Sequence, residues 1–219
     1  MGLAAAAATG MVIFALTAQG LQGGVIQMVN HGLTTGALFL LVGMIYERRH
    51  TREIADFGGL AHAMPAYAAV FMFVTLASIG LPGLAGFIGE FMILFGTFGS
   101  VTLPHARLLT VLAATGVVLG AIYMLWMYQR VFFGKLANEK NKELSDLNLR
   151  EVLVLLPLIV FMFWLGVGPG LVLDKVEPSL ARVLEPLAVE QTHDAPQDAH
   201  HALDLKLPAD PHGHEEVSR

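Results

Sequence analysis

The sequence contains no cysteine. Disulfides, thiolate-bound zinc and cysteine-ligated iron–sulfur clusters are therefore excluded within this chain. It also has no glycine-rich phosphate-binding loop and no basic patch of the kind that binds nucleic acid. These absences argue against iron–sulfur redox chemistry, nucleotide binding through such a loop and nucleic-acid binding within this chain.

Charged side chains are scarce as well: they make up 14% of the 219 residues, whereas 55% of the residues are hydrophobic. Met1–Tyr46 and Val152–Leu173 contain no Asp, Glu, Lys or Arg, and Phe57–Gln129 contains only Glu90 and Arg107. About 20 apolar residues suffice for a helix to cross the bilayer core. The composition therefore predicts an all-α integral membrane protein.

The apolar stretches predict about five transmembrane helices. The first was weighed against a signal peptide, but it has no basic leading segment and no good cleavage site, so we interpret it as a span with nothing preceding it. We expect Gly20–Gly24 to form the turn that ends it, because glycine favours turns. The five predicted spans cover residues 2–19, 25–46, 65–100, 108–133 and 151–167 of a transmembrane domain at 1–173.

The tail, residues 174–219, has a different composition. It holds five prolines, five of the nine histidines, and ten acidic residues against four basic ones. We expect it to be largely disordered after a short amphipathic helix at 176–187. Its histidines show no fixed ligand spacing, so we expect solvated side chains in preference to a metal site.

The stretch 65–100 is interrupted by glycines and by Pro82, with the break expected at 80–86. It can form a hairpin or a broken helix that crosses once. Basic side chains are enriched in the loops at 47–63 and 134–150, and cytoplasmic loops are rich in Lys and Arg. Both loops share one side only if the stretch crosses once, so we favour the broken helix.

Glu90, directly after the break, is the strongest candidate for a functional residue. An ionisable group within a membrane segment costs about 2.5–3.5 kcal/mol on insertion scales and usually marks a functional site. Discontinuous helices also mark ion sites in transporters. The alternative is that Glu90 reaches an interface or pairs structurally with a cation.

A second candidate is His31, which can relay protons near neutral pH. On a helix, Gln27, His31, Thr34 and Thr35 share one face and form a polar stripe on an otherwise apolar span. Such a stripe faces protein or water in preference to lipid. An interhelical hydrogen-bonding role for His31 is an equally good interpretation.

Two segments together resemble a known family. They are Asn30-His31-Gly32-Leu33-Thr34-Thr35-Gly36-Ala37-Leu38-Phe39-Leu40 with Tyr46-Glu47-Arg48-Arg49-His50-Thr51-Arg52, and Gly80-Leu81-Pro82-Gly83-Leu84-Ala85-Gly86-Phe87-Ile88-Gly89-Glu90-Phe91. The resemblance is to the chain M (subunit 4) family of proton-translocating NADH-quinone oxidoreductase, respiratory complex I. It extends from about Gln19 to Gly170. Sister antiporter-like chains typically carry Lys where this sequence has Glu90.

The resemblance implies an antiporter-like fold of two inverted repeats, each with a broken helix, of which this chain holds the second repeat and the last helix. It implies that Glu90 is a terminal proton-site carboxylate and His31 a histidine of the central membrane axis. Arg52 matches a basic residue of a cytoplasmic loop. Gln27, Thr34, Thr35, Pro82, Gly83 and Gly86 are expected to support the path.

The family's first repeat, with its membrane Glu–Lys pair and central Lys, is not in this sequence. Either the chain is a fragment, or another chain supplies the missing half. The expected function is that of a proton-translocation subunit, without redox chemistry of its own. The alternatives are a subunit of a related cation/proton antiporter, or a truncated chain with only a structural or assembly role.

The resemblance also implies partners and a location. No cofactor or metal is expected in this chain, and NADH, FMN, iron–sulfur clusters and quinone are expected in partner subunits. The partners would be other membrane-arm subunits, including antiporter-like sister chains, together with protons and lipid. The expected location is the bacterial inner membrane, with the loops at 47–63 and 134–150 in the cytoplasm and the tail on the opposite side.

Overall fold

The computed structural model describes residues 17–136 and 138–193. This part of the chain folds into seven α-helices and two short 3-10 turns, at Ile54–Asp56 and Glu139–Asn141, with no strand among the described residues. The predicted all-α fold class is confirmed. The helices are α1 (Ala18–Arg49), α2 (Leu60–Ala63), α3 (Pro65–Ser78), α4 (Ala85–Phe98), α5 (Ala106–Phe132), α6 (Leu149–Val167) and α7 (Gly170–His193).

Three of the described helices, α1, α5 and α6, are long and apolar enough to cross a membrane. The helices α3 and α4 are apolar but have only 14 residues each. Each is therefore about 21 Å long, less than the roughly 30 Å of the hydrocarbon core. The predicted first span, 2–19, lies outside the described residues except for its last three.

The glycine-rich segment Gly20–Gly24 does not form the predicted turn. Thr17 caps α1 by accepting a hydrogen bond from Gly20 N (3.1 Å), and the helix runs without interruption from Ala18. The second span therefore begins seven residues before the predicted Val25. These glycines serve packing: a Cβ added to Gly23 would lie 2.7 Å from Met92 Cβ on α4. Small residues let two membrane helices approach closely, which explains the glycines without a turn.

The broken segment passes along α1 in one direction. At the start of α3, Tyr67 Oη donates to the carbonyl of Leu41 on α1 (2.8 Å). At the start of α4, the side-chain amide of Asn30 donates to the carbonyl of Ala85, and the end of α4 packs against the first turn of α1. From Leu41 to that turn is about 30 Å along α1. The helices α3 and α4 are thus two halves of one crossing, both antiparallel to α1.

Helix α5 returns to the end where α3 begins. Tyr128 Oη donates to the carbonyl of Ala68 (3.0 Å), and Gly59 N donates to the carbonyl of Phe133 (3.0 Å). The two basic loops, 47–63 and 134–150, therefore meet at one end of the bundle. The aromatic part of the core lies just inside that end, where the rings of Tyr67, Phe71, Tyr128 and Phe132 are packed together.

Helix α7 is longer than the helix predicted at the start of the tail, and the disorder expected for the rest of the tail stays a prediction. Residues 174–193 are helical, beyond the short helix expected at 176–187, while residues 194–219 lie outside the described part. Apolar side chains recur every fourth residue at Val172, Val176, Leu180 and Leu184, and each is half-buried. That spacing places them on one helix face, and it outweighed the acidic and proline-containing composition. By internal contacts the chain divides into units at 1–181 and 182–219, and α7 contributes to both.

Candidate functional site

The break between α3 and α4 is a tight turn built by glycine. Gly80 and Gly83 have φ angles of +77° and +88°, which side chains other than glycine rarely adopt. The turn continues through exposed Pro82 to Leu84, which occupies the N-cap position of α4 without a side-chain cap. Backbone N–H groups and the positive end of the helix dipole are therefore presented at the start of α4.

Glu90 lies in the second turn of α4, half-buried, with its carboxyl group between the break and α1. On one side it lies against Gly80, where an added Cβ would be 3.3 Å from Glu90 Cδ. On the other side Gln27 Nε2 donates a long hydrogen bond of 3.5 Å to Glu90 Oε1. Within the described ranges no Lys, Arg or His nitrogen lies within 4.0 Å of this carboxylate. The structure thus gives Glu90 an amide neighbour and no described counter-ion.

Asn30 is a site residue that the sequence did not single out. It is 1% exposed, and its Nδ2 donates to the carbonyl of Ala85 in the first turn of α4. The oxygens Asn30 Oδ1 and Gln27 Oε1 are buried and accept no hydrogen bond from any described group. Asn30 follows Gln27 by three positions, so it shares the face of α1 that meets α4. That three-residue spacing was the feature of the sequence that could have identified Asn30 as a site residue.

The predicted stripe on α1 divides into two parts. Gln27 and Thr34 are buried, and the Thr34 hydroxyl donates to the carbonyl of Asn30 (2.9 Å). His31 and Thr35 are half-buried and contact each other, with Thr35 Oγ1 3.3 Å from His31 Nδ1. The four residues therefore do not form a single face toward α4. No described contact joins His31 to Glu90.

The glycines at the site permit close packing between helices. A Cβ on Gly86 would meet the carbonyl of Ala77, so the first turn of α4 lies directly against the last turn of α3. A Cβ on Gly166, in the last turn of α6, would lie 2.5 Å from the carbonyl carbon of Leu84. The break is thus enclosed by α1, α3 and α6, and side chains larger than glycine would separate them.

Arg52 is not part of this site. Its guanidinium lies 4.7 Å from the centre of the Tyr46 ring, at the basic-loop end of the bundle. Tyr46 is about 28 Å along α1 from Gln27, given the rise of 1.5 Å per residue. Arg52 therefore cannot contact Glu90 in this structure.

Arg48, at the same end, makes the most extensive polar contacts, and the sequence analysis did not identify them. Its five guanidinium N–H groups are all used. Two bonds of 2.7 Å go to the carboxylate of Glu151, and three go to the carbonyls of Met44, Ser145 and Asp146. Glu151 also completes a capping box with Asn148 at the start of α6. The ends of α1 and α6 and the loop between α5 and α6 are thereby joined.

The carboxylate of Asp146 extends this junction to α3. It accepts hydrogen bonds from the backbone N–H groups of Ala66 (2.8 Å) and Tyr67 (2.9 Å), in the first turn of that helix. We call Arg48, Asp146 and Glu151, with the backbone groups they bind, the loop junction. The loop junction holds together the end of α1 and the starts of α3 and α6. It lies at the end of the bundle opposite to the C-terminal end of α4.

The sequence matches the model of the NADH:quinone oxidoreductase/Mrp antiporter transmembrane family over residues 3–105, which include α1, the break and α4. Over 175 residues it is 49% identical to NADH-quinone oxidoreductase subunit M of Rhodobacter capsulatus, covering 80% of this chain and 33% of that relative. The similarity to subunit M therefore extends over most of this chain. The resemblance to subunit M inferred from the motifs is thereby confirmed.

Two solved structures show a similar fold. A chain of respiratory complex I from Thermus thermophilus with bound NADH is 33% identical, with a TM-score of 0.70, over 81% of this chain and 37% of that one. A chain of the Mrp complex from Dietzia sp. DQ12-45-1b matches in fold, with a TM-score of 0.64 at 20% identity, over 80% and 40% of the two chains. These chains come from multi-subunit membrane complexes.

The chain spans about a third of the length of the curated relatives of this antiporter family that it matches. The matched region contains Glu90, Gln27, Asn30 and His31. No cluster of three or more His, Asp or Glu side chains that could bind a metal occurs among the residues that the structure describes. The tail histidines from His200 onward lie outside those residues.

Proposed function

We propose that the chain carries part of a proton path in the membrane arm of an NADH-quinone oxidoreductase, with Glu90 as the group that binds the proton. The observation that carries this proposal is the position of Glu90. It is a half-buried carboxylate in an apolar helix, directly after a break formed by two glycines with positive φ. Ionisable groups at such positions in membrane helices are costly and are kept for ion or proton transfer.

The surroundings of Glu90 support proton binding over a structural ion pair. No described cation lies close enough to neutralise the carboxylate permanently. A half-buried carboxyl group without a permanent counter-ion can bind and release a proton.

His31 is the second proton-carrying group in this proposal. An imidazole can accept a proton on one nitrogen and release one from the other. The contact with Thr35 restricts the ring orientation, and the position of His31 one turn beyond Gln27 places it farther along α1. Protons would pass between His31 and Glu90 through water, because no described side chain connects them.

The chain would act as a subunit without redox chemistry. It has no cysteine for iron–sulfur clusters, and NADH, FMN, the clusters and quinone would belong to partner subunits of the oxidoreductase. Its partners would be the neighbouring membrane-arm subunits, including antiporter-like sister chains.

The expected location is the bacterial inner membrane, with the two basic loops in the cytoplasm. Because the chain has no cysteine, single cysteines can report sidedness without background. Cysteines replacing the exposed His62 and Lys140 should be labelled from the cytoplasmic side, and one replacing the exposed His105 from the other side. Labelling of positions 62 and 140 from opposite sides would contradict the single crossing of α3 and α4.

The decisive experiment measures proton uptake in inverted membrane vesicles that contain the chain with its native partners. Glu90→Gln keeps the shape and removes the titratable proton, so NADH oxidation should persist while proton uptake per NADH falls. Glu90→Asp should give intermediate uptake, because its carboxyl is one methylene short. Thr110→Val is the control, since its hydroxyl bonds only to the carbonyl of Ala106 on its own helix.

Two outcomes would reject the proposal. Normal uptake by the Gln variant at normal amounts of assembled complex would make Glu90 a structural residue. Sodium–proton exchange in the absence of NADH, lost in the Gln variant, would instead assign the chain to a cation/proton antiporter of this fold.

A further inference from the structure

The carboxyl group of Glu90 lies in a slot whose two sides depend on glycine. Gly80 forms one side, as described above. On the other side Gln27 lies against Gly89, the residue before Glu90. A Cβ on Gly89 would be 2.9 Å from Gln27 Cβ and 3.0 Å from Gln27 Cα. Only glycine at position 89 lets α1 approach closely enough for the Gln27 amide to reach Glu90.

The chemistry of the Gln27 side chain matches both forms of a carboxyl group. An ionised carboxylate only accepts hydrogen bonds, whereas a protonated carboxyl must also donate one. Gln27 carries the donor Nε2–H, which now bonds to Glu90 Oε1, and the acceptor Oε1, which is buried and accepts no hydrogen bond from a described group. Turning the amide over exchanges the places of Oε1 and Nε2, so either the acceptor or the donor can face Glu90.

We propose that Gln27 is a positioning residue that holds Glu90 in both protonation states by turning its amide. In the ionised state Nε2–H donates to the carboxylate. When a proton arrives from water, the amide turns and Oε1 accepts a hydrogen bond from the new carboxyl O–H. The carboxyl group then keeps its place in the slot and a hydrogen bond to Gln27 in both states. This inference rests on the proposed function, because it requires that Glu90 binds and releases a proton.

The other titratable groups on the surrounding helices lie away from Glu90. On α1 the nearest is His31, one turn beyond Gln27, where it contacts Thr35. The others on the packed helices lie at bundle ends or toward the basic-loop end. They are Tyr46, Glu47, Arg48 and Arg49 on α1, Tyr67 on α3, Arg107, Tyr123, Tyr128 and Arg130 on α5, and Arg150 and Glu151 on α6. Gln27 is therefore a polar side chain that bonds Glu90 directly and can respond to the proton on it.

The test compares Gln27→Met, which keeps length and flexibility but has neither an N–H donor nor an oxygen acceptor, with Gln27→Glu. In inverted vesicles with native partners, Gln27→Met should slow NADH-driven proton uptake roughly tenfold, the expected size for losing a hydrogen bond to a charged group. Gln27→Glu should restore most of the uptake, because two adjacent carboxyl groups can share one proton. Thr110→Val should have no effect.

Infrared difference spectroscopy of the purified chain in lipid nanodiscs supplies a readout that a packing role would not change. The carbonyl band of protonated Glu90 is identified by its loss in Glu90→Gln. Gln27→Met should shift this band, because the carboxyl O–H loses its acceptor, while Thr110→Val should leave it in place. This readout does not require an assembled complex, so it still decides if Gln27→Met impairs assembly.

The outcomes separate this inference from the proposed function. If Glu90→Gln abolishes uptake but Gln27→Met changes neither uptake nor the band, the amide exchange is wrong and the role of Glu90 stands. If Glu90→Gln pumps normally, the proposed function fails, whatever Gln27→Met does. A shifted band with slowed uptake in Gln27→Met, together with recovery in Gln27→Glu, supports the exchange.

Discussion

The loop junction and the break differ in how completely their polar groups are bonded. At the loop junction, Arg48 uses all five of its donors, and Glu151 and Asp146 each bind backbone N–H groups as well. At the break, the hydrogen bond from Gln27 to Glu90 is long, at 3.5 Å, and two buried amide oxygens accept no bond from a described group. Fully paired buried groups hold a structure rigidly, whereas partly paired groups can change their bonding.

The comparison indicates that the loop junction and the break have different roles. The loop junction joins the ends of α1, α3 and α6, so it fixes the positions from which these helices extend to the break. The break itself is held mainly by close contacts at glycines, which leave its polar groups free to exchange partners. Substitutions at the junction should therefore reduce stability, and substitutions of polar groups at the break should chiefly affect transport.

The largest loss of stability is expected for Arg48→Ala. It leaves the buried carboxylate of Glu151 and three carbonyls without their donor, and breaking a buried ion pair in this way costs about 3–5 kcal/mol. The measurement is unfolding of the purified chain in mixed micelles, monitored by circular dichroism. Arg130→Ala is the matched control, because the exposed Arg130 only stacks on the Trp126 ring at 4.8 Å. Equal losses for both variants would contradict the special role of the loop junction.

A smaller loss is expected for Gly86→Ala. The added Cβ would meet the carbonyl of Ala77 and force α3 and α4 apart, at a cost of about 1–3 kcal/mol. Gly116→Ala, on α5, is the control, because nothing lies within 4 Å of its Cβ position. There the higher helix propensity of alanine should stabilise the chain by about 0.5–1 kcal/mol. The same unfolding assay should show opposite signs, and stabilisation by Gly86→Ala would show that the break is loosely packed.

The sequence predicted the break but not the packing around α1, although both depend on glycine. Pro82 and the glycines beside it break the helix through local backbone preferences, so the break at 79–84 was readable within a few residues of the predicted 80–86. Gly20–Gly24 carried the same local signal and was wrongly interpreted as a turn. What decides its conformation is α4, about 70 residues later, and a single sequence does not reveal that contact.

The residues of the candidate site could also be predicted only in part, because contacts between distant positions identify some of them. Glu90 was identifiable because a lone acidic residue within an apolar stretch is visible without any structure. Asn30 looked like an ordinary polar residue, since its bond to Ala85 joins positions 55 apart. The pairing of Arg48 with Glu151 joins positions 103 apart, so it was equally inaccessible. Helix periodicity placed His31 on the Gln27 stripe, whereas side-chain contacts separate them.

For His31→Ala we expect a small effect on stability and a larger one on transport. The variant loses only the contact with Thr35, so the free energy of unfolding should fall by less than about 1.5 kcal/mol. Proton uptake per NADH should fall more than the amount of assembled complex does. Thr35→Val tests the orienting contact separately and should reduce uptake less than His31→Ala. If assembly collapses while the remaining complex pumps normally, His31 is a packing residue.

The smallest effect, and one of opposite sign, is expected for Thr75→Val on α3, one turn before the break. Thr75 is fully buried, and its hydroxyl has no hydrogen-bond partner among the described groups. Valine has nearly the same shape, so the substitution removes an unsatisfied polar group without opening a cavity, and it should stabilise the chain by about 1 kcal/mol. Thr110→Val is the control, because its hydroxyl bonds to the carbonyl of Ala106 at 2.8 Å, and its loss should slightly destabilise the chain. Destabilisation by Thr75→Val would mean that this hydroxyl is bonded in the membrane. The break would then contain one fewer unpaired buried group, and its contrast with the loop junction would weaken.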